Sequence, residues 1–187
     1  MENLEDLKIM WKDINLRLSH LENENKMLIQ NIKKTNYKTT QDKLKRKYGN
    51  FILVEFVMIC FMTLFFIFDP LINEKYRIIT LVYWDMFFLL ELGIDAYLLY
   101  QVKKIDIFNS SIKEVAARAA ENWKLHKIAI AISLPIALGA VLLFALAVNV
   151  NKFIIAGMMV GGLIGLTIGI QQLLRFKNYY KLLQADD

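Results

Sequence analysis

The sequence predicts an all-α integral membrane protein with four transmembrane helices and an N-terminal cytoplasmic coiled-coil helix. Three observations predict it: four long apolar runs, a heptad repeat ahead of them, and an uneven distribution of Lys and Arg among the connecting segments. Of 187 residues, 56% are apolar and 22% charged, and the mean hydropathy is +0.36. Soluble domains carry less apolar residue than this, so the excess has to serve a span or an interface. Such a content excludes a disordered chain, and a single cysteine, Cys60, excludes a disulfide-stapled one.

The first element is residues 1–47, read as a cytoplasmic helix ending in a basic collar. It opens acidic, Met1-Glu2-Asn3-Leu4-Glu5-Asp6, with no apolar stretch and small-residue cleavage site behind it, so a cleaved signal peptide is not expected. Apolar positions then alternate in steps of three and four. Counting Leu4 as position a, the a set is Leu4, Trp11, Leu18, Asn25 and Ile32, and the d set is Leu7, Ile14, Leu21 and Leu28. Heptads of this kind give a coiled-coil seam, and an amide at one a position pairs with its symmetry mate and sets the register. Arg17 at g also faces Glu22 at the next e position of a parallel partner. The alternative is an amphipathic helix packed on another protein or lying on lipid. Acids scattered on its polar face, among them Asp6, Asp13, Glu22 and Glu24, weigh against adhesion to anionic lipid.

Lys43, Lys45, Arg46 and Lys47 form the collar. Its ordinary role is contact with anionic lipid headgroups, which accounts for the isoelectric point near 9.2. No aromatic residues are interleaved with it as a base-stacking surface requires, so nucleic acid is not an expected partner.

Residues 48–187 are read as a four-helix transmembrane domain, with spans at about 51–68, 78–100, 128–150 and 153–174. Each is long enough to cross a bilayer of roughly 30 Å at about 1.5 Å per residue, the first with help from its flanks. Lys and Arg number 11 in residues 1–50, 6 in 101–127 and 3 from Arg175 onward, against 2 in 69–77 and 1 in 149–152. The positive excess marks the cytoplasmic side, so both termini and the middle loop are expected in the cytoplasm, and the membrane is expected to be the bacterial inner one. Within the middle loop, Ser111-Ile112-Lys113-Glu114 fits a capping box. It starts an amphipathic helix at about 112–126, which either follows the membrane surface or runs straight into the third span. Pro135 removes a backbone hydrogen bond inside that span.

Two constellations are candidate sites. The first is a set of acids in apolar runs: Glu55 in the first, Asp85, Glu91 and Asp95 in the second. Glu91 and Asp95 share a helix face, Asp85 is displaced by roughly a quarter to a third of a turn, and Glu55 is expected at the depth of Asp95. Intramembrane acids are costly and default to a functional reading. The competing reading makes them anchors that reach the interface or pair with Lys103, Lys104, Lys124 or Lys127, which explains Asp85 least well. The second constellation is Gly157, Gly161, Gly165 and Gly169, spaced every fourth residue. That stripe allows close approach of another helix, either the third span near Gly139 and Ala140 or a second copy. Thr167, Gln171 and Gln172 are placed to add interhelical hydrogen bonds.

No phosphate-binding loop, zinc-protease motif, Cys/His metal spacing or nucleophile elbow is present, so neither an enzyme nor a cofactor is expected. His20 and His126 read as surface or interfacial residues, without a second ligand nearby in sequence. In its architecture and its opening Leu4-Glu5-Asp6-Leu7-Lys8-Ile9-Met10-Trp11, the chain resembles small bacterial membrane proteins with a cytoplasmic helical N-terminus, of the anti-sigma regulator type. It lacks their multi-helix sigma-binding domain and its His/Cys zinc motif. The resemblance implies a membrane-anchored interaction or regulatory protein that presents its N-terminal helix to itself, as a homo-oligomer, or to a soluble cytoplasmic protein. The alternative is a small oligomeric ion or proton channel built on the acids.

Overall fold

The computed structural model describes residues 2–68, 72–148 and 152–184, with side chains from 6 onward in the first segment and from 156 in the third. The side chains of Leu4 and of residues 152–155, and residues 69–71 and 149–151 of the two short loops, lie outside that description. The fold is all-α, with four helices among the described residues: α1 (Glu2–Phe68), α2 (Glu74–Lys103), α3 (Ile112–Ala147) and α4 (Lys152–Gln184). One isolated bridge, between Ile72 and Val148, is the only β pairing among them.

Three of the helices, α1, α3 and α4, are long and apolar enough to cross a membrane. Their most apolar windows are only 11%, 6% and 0% buried, so the apolar surface faces outward instead of forming a core. At 30 residues α2 has the length for a span. Its Asp85, Glu91 and Asp95 set it apart from the other three in composition.

The chain divides into two compact units, residues 1–39 and 40–187, and α1 contributes to both. In the first, the helix leaves its apolar seam side chains exposed. In the second, the backbones of α2 and α3, and of α3 and α4, come closest. Two clusters hold this unit. At one end Met62 and Phe66 of α1, Ile72 and Ala147 are buried together, and the Phe144 ring meets Phe65, Phe66 and Trp84. A hydrogen bond from Asn73 N to Ala147 O (2.8 Å) closes that end. At the other end Tyr48 of α1, Trp123 and His126 of α3, and Phe176 and Tyr180 of α4 stack on one another.

Local signals set several boundaries. Asn73 caps α2 by accepting from Lys75 N. The capping box at α3 is present, with Glu114 N donating to Ser111 Oγ (3.2 Å) and Ser111 N donating to Glu114 Oε2 (2.9 Å). From there α3 runs without a break to Ala147 and contains Pro135. Residues 112–126 are therefore the first turns of the third long helix, with Val115, Ala119, Asn122 and His126 as their buried face.

Candidate functional site

Glu91 and Asp95 stand one turn apart on α2, and Glu55 of α1 reaches the same place. All three line a cavity of about 360 Å³ whose remaining wall comes from α2 and from the Ala129, Ile130, Ser133 and Leu134 face of α3. The Glu55 and Asp95 carboxyls are hydrogen-bonded to each other. Glu91 accepts from the Ser133 hydroxyl. Glu55 Oε2 and Glu91 Oε1 are buried with no hydrogen-bond partner among the described residues, an arrangement that costs free energy unless something in the cavity satisfies it.

The lining contains no Lys or Arg. Lys127 lies over the Trp123 ring instead, 6.0 Å from its centroid, and no ion pair joins Lys103, Lys104, Lys124 or Lys127 to these acids among the described residues. In the cavity the acids form a carboxyl cluster with hydroxyl and imidazole neighbours. Asp85 is elsewhere: it accepts from Thr63 Oγ1 of α1 at 3.2 and 3.4 Å, about 1.7 and 2.8 helical turns from Glu91 and Asp95. A threonine hydroxyl answers a mid-helix carboxylate there, and Asp85 lines no part of the cavity.

His126 corrects the reading from sequence most clearly. It is 7% exposed and lines the cavity floor. Its Nδ1 is hydrogen-bonded to the Tyr48 hydroxyl at 3.0 Å, and that hydroxyl meets the Tyr180 hydroxyl at 3.2 Å. Rings of Trp123 and Phe176 cover the imidazole. Sequence reasoning also missed Ser133 and Gln41. The signal for Ser133 was available, because His126 and Ser133 are seven apart and so share a face of α3, where Lys127 is the one other polar residue between them. Gln41 is 2% exposed, and its Nε2 donates to Val102 O (2.8 Å) and Ile105 O (2.7 Å), tying α1 to the end of α2.

The glycine stripe is in a different situation. A Cβ built on Gly157, Gly161, Gly165 or Gly169 meets nothing within 4 Å, whereas one on Gly139 meets Tyr83 Oη of α2 at 2.5 Å. Within the described chain the close approach thus belongs to Gly139, and the stripe on α4 is open. Thr167 turns back to its own helix, donating to Leu163 O (2.8 Å). Gln172 does bridge helices, accepting from Lys47 Nζ at 2.7 Å.

Among the described residues no three His, Cys, Asp or Glu side chains are grouped to hold a metal ion. The cavity's chemistry is that of carboxyls, a hydroxyl and an imidazole, groups that accept and release protons. Comparison with protein-family models, with curated proteins and with solved structures finds no match to this chain.

Proposed function

We propose that this chain is a multi-pass protein of the bacterial cytoplasmic membrane in which Glu55, Glu91 and Asp95 carry protons. The single observation that carries the reading is their convergence from two helices on one cavity that has apolar walls and no cation. Acids placed in apolar surroundings without basic partners are expensive to keep, and they mark ion and proton routes in membrane proteins. Ser133 and His126 supply further proton donors and acceptors on the same wall. The outward apolar surface of α1, α3 and α4 supports the membrane location, and the Lys and Arg distribution supports cytoplasmic termini.

The test is proton flux in vesicles reconstituted with the full chain, read with an entrapped pH-sensitive dye under a potassium diffusion potential. Flux above that of protein-free vesicles is expected, falling to background in Asp95→Asn and in Glu55→Gln. Asp85→Asn, away from the cavity, should retain it. Wild-type vesicles no leakier than empty ones overturn the proposal.

A second reading, a membrane-anchored interaction or regulatory protein, is favoured by a separate observation, the exposed apolar seam of the N-terminal unit. The two readings are compatible, since they engage different units of the chain.

A further inference from the structure

We propose that residues 7–32 form a parallel two-stranded coiled coil with a second copy of this chain. From Leu7 to Ile32 every apolar a and d side chain is more than half exposed, on a helix with no break anywhere in that stretch. An apolar stripe with a strict seven-residue repeat fits another helix carrying the same repeat, because knobs at a and d need holes at the same spacing. The nearest source of that repeat is another copy.

Asn25 selects the orientation. In a parallel pair in register its amide faces the amide of the other Asn25, and each satisfies the other. In an antiparallel pair centred on Leu18 and Leu21, Asn25 faces Ile14, leaving a polar group against a methyl surface. The flanks agree. In the parallel register Arg17 faces Glu22 of the other copy, and none of the remaining g to e pairs, such as Met10 with Asn15 or Asn31 with Asn36, brings like charges together. Arg17 also pairs with Asp13 of its own helix at 3.0 Å, which leaves its guanidinium on the flank of the seam. Ile9 and Leu16 are exposed too, at f positions, but Asn23 and Gln30 occupy the next two f positions, so that second stripe does not continue. A lipid surface is the other candidate cover for the seam, and the acids on the flanking faces oppose it.

The experiment uses the full chain with Cys60→Ser, which removes the single native cysteine. Single cysteines are then placed at the seam, Leu18→Cys or Leu21→Cys, and at f positions, Asn23→Cys or Gln30→Cys, and oxidative cross-linking is followed in cell membranes and in detergent. Disulfide dimers should form several-fold faster at both seam positions than at either f position. Adding Leu28→Lys should abolish the cross-link at Leu18→Cys. Three results overturn the proposal: equal rates at seam and f positions, no dimer at any of the four, or mixed dimers between an Ile14→Cys copy and an Asn25→Cys copy, which only the antiparallel pair permits.

Discussion

Gln41 shows how much one side chain holds in place. The chain turns off at the end of α2, and two carbonyls there, Val102 O in its last turn and Ile105 O just beyond it, accept from the single amide of Gln41. The side chain is buried, so water does not replace it. Gln41→Ala should therefore destabilise the protein by about 1–3 kcal/mol, the usual cost of leaving buried polar groups unsatisfied. Melting of the detergent-purified chain followed by circular dichroism measures this, with the exposed Gln30→Ala as the unaffected control. Nothing local in Thr39-Thr40-Gln41-Asp42 distinguishes Gln41 from its polar neighbours, because the two carbonyls it bonds lie more than sixty residues away. His126 escaped the sequence for the same reason: its cover comes from Tyr48 of α1 and Phe176 of α4. The acids were half legible. Helix phase puts Glu91 and Asp95 on one face and Asp85 off it, but a phase argument on α2 does not say that a residue of α1 meets them, nor that Thr63 answers Asp85.

At the scale of the element, signals complete within four residues were legible and signals needing a second helix were not. The capping box at Ser111 and Glu114 is of the first kind. Glycine spacing is of the second, since it announces a close approach without naming the partner. Gly139 and the α4 stripe separate on this point, and their alanine variants should differ in sign. An alanine Cβ at 139 meets the Tyr83 hydroxyl at 2.5 Å and the ring carbon bearing it at 3.3 Å. The ring has to move, and with it the hydrogen bond from Tyr83 Oη to Ile136 O (3.2 Å). Gly139→Ala should lower stability by about 1–3 kcal/mol, the range for overpacking. Adding Tyr83→Phe removes the obstructing oxygen and should restore part of the loss, a coupling that a double-mutant cycle reads directly. A Cβ at Gly161 meets nothing within 4 Å among the described residues, and alanine is the better helix former by up to about 1 kcal/mol. The melting temperature of Gly161→Ala should hold or rise; a fall places the stripe against another molecule.

For the whole molecule the decisive helix is α2, because its crossing sets whether the two ends of the chain share a side of the membrane. Its twelve Leu, Ile, Val and Phe residues between 78 and 100 favour insertion by about 4–7 kcal/mol, and three acids near mid-bilayer oppose it by up to roughly 8–10. Alone, such a helix is marginal. In the folded chain the acids have company: Asp85 has the Thr63 hydroxyl, Asp95 has Glu55, and Glu91 has Ser133. Polar partners on neighbouring helices lower the cost of each group relative to the isolated span, so α2 is expected to cross with α1 and α3 beside it. The consequence is geometric: cysteines replacing Lys75 and Lys104, on either side of α2, must face opposite solutions. In intact bacteria expressing the Cys60→Ser chain, a membrane-impermeant maleimide should label Lys75→Cys and spare Lys104→Cys until the cells are opened. Labelling of both from outside, or of neither, removes α2 from the membrane. Labelling of both would also move α3 and α4 to the reverse orientation, and either result would put the cavity acids in water, where the proton-carrying proposal no longer stands.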